Sequence, residues 1–131
     1  MYKNPYLQID DGAYVGKIKS TGKRTSFITW GCHIADGVEI GGGVLIGPNT
    51  TIATSSHPFK RDKWIKDQKI LHKKVIIGND VLIGTGAVIL AGNVIKDHAV
   101  IGAGSVLTEN HIVGENEIWI GNPAKFNKFR S

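Results

Sequence analysis

Ile77, Ile83, Ile89, Ile95, Ile101 and Leu107 fall on every sixth position without a slip, and glycine follows the aliphatic at Gly78, Gly84 and Gly102. A six-residue period matches neither a 3.6-residue helix nor a strand that runs on indefinitely. It describes a short strand and a turn, repeated. The residues two positions earlier, Val75, Val81, Ala87, Ala99 and Ser105, are small or branched, with Asn93 the exception. Alternation along a three-residue strand turns both members of such a pair to one side, and the glycine and its neighbours turn the corner. Repeats of fixed period stack coil on coil with strands about 4.8 Å apart, so the pattern predicts an all-β, flat-sided solenoid.

The same register runs upstream through Ile28, Ile34, Ile40, Ile46 and Ile52, with Cys32, Val38, Val44 and Thr50 at the paired inward positions. Ile52 and Ile77 stand 25 residues apart, four hexads plus one, so the phase breaks in an extruded loop of about residues 55–74. Residues 1–24 are loosely patterned. Ile9 and Val15 suggest a partial first coil or a ragged cap that shields the terminal strand edges. Residues 110–116 read as an interruption of the repeat, 117–121 as a strand, and Asn122-Pro123-Ala124-Lys125 as a turn before a short basic tail. Outward strand positions are Leu82, Val88, Val94, Val100 and Val106 downstream, against His33, Glu39, Leu45 and Thr51 upstream. Five aliphatics in succession on an outer surface predict cover by another subunit.

Length and composition narrow the picture. The 131 residues suit a single domain over 1–131, and 17 glycines suit repeated turns better than helices. No apolar run approaches the ~18 residues needed to span a membrane, and the N-terminus lacks the apolar core of a signal peptide. A soluble, cytoplasmic protein without membrane insertion is expected. The net charge of +5 concentrates at Lys60 to Lys74 and at Lys125, Lys128 and Arg130. Such clusters form a solvated face or favour a phosphate-rich small ligand; no nucleic-acid module accompanies them. The single cysteine, Cys32, excludes an internal disulfide and sits in the inward phase as a core residue. No two histidines have close ligand spacing and none has a cysteine partner, so no metal site is expected.

One histidine has a distinctive setting. His57 opens the phase-breaking loop in Ser55-Ser56-His57-Pro58-Phe59. Pro58 keeps the chain extended there, presenting the imidazole at a wall edge beside a loop able to close over a ligand. Glu39 precedes it by 18 residues, three hexads, which places the carboxylate one rung from His57 if the coil continues. His33, His72, His98 and His111 read as surface or structural residues.

The hexads, the His57-Pro58 loop, the run from Val100 to Val106 and Gly121-Asn122-Pro123-Ala124-Lys125 together resemble the hexapeptide-repeat acyltransferases. The closest branch is similar to the maltose and galactoside O-acetyltransferases, and the resemblance covers about residues 27–130. It implies a left-handed parallel β-helix, a homotrimer with sites in the clefts between subunits, and acetyl-CoA as donor without a metal. The family's catalytic base falls on His57. Its coenzyme contacts fall on Thr85, Ala103, Thr108, Lys125 and Lys128, while at Glu109 the family often has lysine. On the acceptor side, the family's asparagine is replaced by Thr29 in Phe27-Ile28-Thr29, and its aspartate corresponds to Asp36.

The helical N-terminal segment of the maltose and galactoside enzymes has no counterpart, and Trp30 and Trp64 are candidates for a sugar platform instead. The implied function is acetyl transfer to a hydroxyl of a sugar or glycan precursor, as in enzymes that decorate capsule or lipopolysaccharide sugars. Two alternatives stay open: an N-acyltransferase on a nucleotide-linked amino sugar, and a non-catalytic trimeric scaffold.

Overall fold

The computed structural model describes residues 4–131. Its strands are mostly two or three residues long and stack into three parallel sheets, the flat walls of a prism. The first face runs through Leu7–Ile9, Ser26–Ile28, Leu45–Ile46, Leu82–Ile83, Val100–Ile101 and Glu117–Gly121. The second holds Tyr14–Val15, His33–Ile34, Thr51–Ile52, Val88–Ile89 and Val106–Leu107. Lys19–Ser20, Val38–Ile40, Val75–Ile77, Val94–Ile95 and Ile112–Val113 make the third. Leu82 faces Val100 and Val88 faces Val106, so one coil takes 18 residues, three hexads.

The hexad aliphatics are the core. Ile28, Ile34, Ile40, Ile46, Ile52, Ile77, Ile83, Ile89, Ile95, Ile101, Leu107 and Val113 are each at most 2% exposed. Each such side chain contributes roughly 1.5–3 kcal/mol relative to exposure, which supplies the cohesion that two-residue strands lack. Polar groups at the paired inward positions are buried but satisfied. Asn93 Nδ2 donates to the Leu90 and Thr108 carbonyls at 2.7 and 2.8 Å, and its Oδ1 accepts the His111 N–H at 2.9 Å. The exception in the apolar pattern thus closes a corner.

Two expectations change in the folded chain, and an open one is decided. Of the two readings of the N-terminal stretch the first coil holds and the ragged cap does not: Leu7–Ile9, Tyr14–Val15 and Lys19–Ser20 each pair in parallel with the next coil. Residues 110–116 do not interrupt the repeat, because Ile112–Val113 pairs with Val94–Ile95 and Val113 keeps the six-residue step from Leu107. The basic C-terminus is a strand, Ala124–Phe129, folded back antiparallel on Glu117–Gly121.

Rungs at the corners approach closely. A Cβ on Gly84 would lie 2.4 Å from the Ala103 nitrogen, whereas one on Gly86 meets nothing within 4 Å. At the corner joining the third face to the first, Asp80 and His98 both adopt left-handed backbone, φ 53° and 66°. Their side chains meet: His98 Nδ1 lies 2.7 Å from Asp80 Oδ2, and Arg130 Nη1 donates to the same oxygen at 3.1 Å. The His98 and Arg130 hydrogen bonds hold the Asp80 carboxyl below the usual carboxylate range.

Two predictions follow from these corners. Gly84→Ala forces backbone apart and is expected to cost about 1–3 kcal/mol in urea unfolding, while Gly86→Ala carries only left-handed strain of about 1 kcal/mol; equal losses would contradict the close approach. Because Asp80 is depressed in the fold, its contribution is present above its unfolded value of about 4 and fades as pH falls through the folded value. Asp80→Asn should therefore melt below wild type near neutral pH, with the gap closing in acid; a gap independent of pH would assign Asp80 a purely steric role.

Candidate functional site

The extruded loop leaves the prism where the second face turns toward the third. Ser55–Ser56 pairs antiparallel with Leu71–His72, so the loop is rooted in a two-stranded hairpin. Lys73 N–H donates to the Thr54 carbonyl at 2.8 Å. Ser56 Oγ donates to Glu109 Oε1 at 3.0 Å, which ties the root to the corner after Val106–Leu107. His57 follows Ser56 directly, is exposed, and makes no hydrogen bond among the described residues.

The proposed neighbour of His57 is elsewhere. Because the chain leaves the coil after Ile52, Val75–Ile77 takes the rung above Val38–Ile40, and Ile76 rather than His57 stands over Glu39. The Glu39 carboxylate is held by Lys74 at 2.8 Å, and that hydrogen bond, aided by Lys19, lowers its pKa. Sequence spacing alone implied continuity of the coil; the hairpin removes it.

Beside the root lies a cavity of about 480 Å³ lined by Tyr14, His33, Asp36, Ser55, His72 and Lys73, among others. Tyr14 and His33 stack at 4.7 Å between centroids and 17° between planes. His72 Nδ1 shares a hydrogen bond with Ser55 Oγ at 3.2 Å. Asp36 Oδ1 accepts the Lys17 N–H at 2.7 Å, leaving its second oxygen without a hydrogen bond among the described residues. His33 and His72, expected as surface or structural residues, line this cavity. Tyr14 and His33 are both outward strand residues on successive rungs, a signal visible only once residues 4–24 are recognised as a full coil.

The residues implied by resemblance fall along two different prism edges. Thr29, Thr85 and Ala103 lie on the edge joining the first face to the second, where Gly104 N–H donates to the Thr85 carbonyl at 2.8 Å. Lys125 continues that edge, next to the Gly121–Ala124 turn that caps it; Lys128 sits farther along the same terminal strand, opposite Ile118. Asp36, the start of the His57 loop and Thr108 lie on the edge joining the second face to the third. Thr29 Oγ donates to the Ile46 carbonyl at 2.7 Å, so its hydroxyl proton is committed and only its lone pairs are open to a ligand. A single chain therefore separates the two groups by the width of the second face.

Elsewhere, Asp97, His98 and Glu115 each offer a ligand atom within 4.8 Å of the others. They come from two successive rungs, which is why spacing along the sequence did not bring them together. His98 is engaged by Asp80, and exposed carboxylates converge in this way commonly. Among the described residues no helix is long and apolar enough to cross a membrane.

Residues 64–109 match the family model for the bacterial transferase hexapeptide (six repeats). No curated protein matches the chain by sequence. Among solved structures, a galactoside acetyltransferase in complex with coenzyme A is similar at TM-score 0.74 and 28% identity, covering 94% of this chain and 64% of its own. A hexapeptide-repeat acetyltransferase from Vibrio cholerae O1 biovar eltor, complexed with acetyl coenzyme A, is similar at TM-score 0.72 and 28% identity, covering 95% of this chain and 61% of its own. A maltose O-acetyltransferase from Clostridium difficile 630 is similar at TM-score 0.64 and 25% identity, covering 97% and 68%. The chain thus spans about two thirds of the length of these proteins. Residues 64–109 thus carry the bacterial transferase hexapeptide, and hexapeptide-repeat acetyltransferases, maltose and galactoside O-acetyltransferases among them, are structural neighbours of the chain.

Proposed function

We propose that this chain is a cytoplasmic, homotrimeric acetyl-CoA-dependent O-acetyltransferase acting on a hydroxyl of a sugar or glycan precursor. The observation that carries this reading is the exposed His57 at the root of a hairpin on a prism whose neighbours include acetyltransferases with acetyl-CoA or coenzyme A bound. The thioester supplies an activated acetyl group and a good leaving thiolate. His57 takes the proton of the acceptor hydroxyl as that oxygen bonds to the carbonyl carbon. The carbon–sulfur bond breaks, and the proton passes to the departing sulfur, so no acyl-enzyme is required. An imidazole with no hydrogen-bond partner among the described residues keeps a ring nitrogen open for this exchange. Asp36, facing the cavity, orients the acceptor; Thr29 offers lone pairs only.

The split of the candidate residues supports a shared site. If the second face turns toward a three-fold axis, one chain's Thr85–Ala103 edge meets the neighbour's Asp36–His57–Thr108 edge. Each cleft then holds both groups, as a trimer requires. Thr85 and Ala103 are small and exposed, leaving room for an extended arm against the backbone, and Lys125 and Lys128 suit phosphates.

His57→Ala should lower kcat by roughly 10²–10⁴-fold while coenzyme affinity, read by calorimetry, stays nearly unchanged. Parallel loss of both would make His57 structural. Thiol release with sugars is expected to exceed that with amino sugars; binding of coenzyme without turnover across the panel would favour a scaffold. Sedimentation should give three times the chain mass, and a stable monomer would remove the shared cleft.

A further inference from the structure

The residue before His57 is held by a carboxylate from a distant coil. Ser56 Oγ donates to Glu109 Oε1 at 3.0 Å, across 53 positions of the chain. Glu109 stands on a corner that is itself fixed to the prism. Asn93, fully buried, donates from Nδ2 to the Thr108 carbonyl at 2.8 Å and accepts the His111 N–H on Oδ1 at 2.9 Å. His111 Nδ1 lies 2.9 Å from the same Thr108 carbonyl oxygen, and Asn110 N–H donates to the Ala91 carbonyl at 3.2 Å. The backbone that carries Glu109 therefore moves with the core and not with the loop.

The hairpin root has little regular pairing of its own. Its strands, Ser55–Ser56 and Leu71–His72, are two residues each, and a two-stranded hairpin by itself is marginal in water. Side-chain ties must hold it. The second strand's ties to the upper corners are long: Lys73 Nζ to Asn110 Oδ1 at 3.4 Å, and Gly92 N–H to the Lys73 carbonyl at 3.3 Å. The Ser56–Glu109 bond is shorter, charge-assisted and one residue from the imidazole. On the other side Pro58 confines the His57 backbone to extended conformations. His57 makes no hydrogen bond among the described residues, so these two neighbours set where its ring is presented.

We propose that Glu109 is a positioning residue for His57, accepting the Ser56 hydroxyl and so holding the imidazole where it meets the acceptor. The proposal rests on the acetyl-transfer reading, in which His57 takes the acceptor's proton. Glu109 touches neither substrate nor reacting atoms, and what it supplies is an acceptor oxygen at a fixed point. Displacing a reacting group by about 1 Å can slow a reaction by about 100-fold, so a loosened root is felt at the chemistry. Both partners belong to one chain, so the tie requires no free surface at the cleft between subunits.

Glu109→Ala and Ser56→Ala should each lower kcat by about 10- to 100-fold, with the affinity for coenzyme A changed by less than about twofold. Glu109→Gln keeps an amide oxygen in place and should retain most of the wild-type kcat. The double variant Ser56→Ala with Glu109→Ala should be no slower than the slower single one, the non-additivity of partners in one bond. Hydrogen exchange reads the tie without turnover. In Glu109→Ala, exchange over residues 54–57 and 71–73 should quicken by at least about tenfold, while Ile95, Ile101 and the melting temperature stay at wild type. The proposal is overturned if exchange at the root is unchanged, if Glu109→Gln is as slow as Glu109→Ala, or if coenzyme affinity falls in step with kcat, which would make Glu109 a coenzyme contact. Should the wild-type chain turn over no acceptor, the transfer reading falls and the catalytic role of Glu109 with it, whereas quickened exchange would still show that Glu109 holds the root.

Discussion

The whole molecule depends on one stacking constraint: each inward aliphatic must rest on the aliphatic one coil below. Two-residue strands offer few hydrogen bonds apiece, and an isolated coil has no interior of its own. Apolar burial down the prism axis supplies the cohesion, and the parallel ladders fix the register at which it operates. Corners then follow from clearance. Where rungs nearly touch, as at Gly84 over Ala103, no Cβ fits; where the chain must reverse, Gly, Asn, Asp or His occupies the left-handed region.

The same rigidity shapes the two candidate edges. Side chains at corners are spaced by the coil repeat and cannot drift toward one another, so Thr85 and Ala103 stay on one edge while Asp36 and Thr108 stay on the next. A prism of this kind builds a site by presenting two edges to two neighbours or by letting a loop escape the coil. This chain has such a loop. The hairpin root, fastened by Ser56 to Glu109 and by Lys73 to Thr54, places His57 beside the second edge without distorting a rung. The loop beyond the root contributes no residue to the core and carries the densest positive charge in the chain.

Much was legible before folding because inward positions repeat with a period that only one architecture satisfies. Ile77 to Leu107 announced the coil, and the 25-residue gap after Ile52 announced the loop. Weaker signals failed where local composition hid the repeat. Residues 7–20 lack the isoleucine ladder, yet their backbones pair in register with the next coil because parallel ladders require no particular side chain. The stretch around Ile112–Val113 looked polar because asparagines and glutamate fill its corners, and corners are where such residues belong.

The sequence by itself determined the prism, the place of the loop and the candidate histidine, since period and turn chemistry are local properties. Which residues stand near one another across rungs was decided by the tertiary structure alone. Glu39 meets Lys74 and Ile76 instead of His57 because an extruded loop breaks the arithmetic that carries position from one coil to the next. Likewise, the five outward aliphatics read as one run are spread around three faces, and a continuous apolar column of Phe27, Leu45, Leu82, Val100 and Ile118 emerges on the first face only when successive coils are laid over each other. Hexad spacing fixes direction within a coil, but contact between coils depends on how many residues the chain inserts along the way.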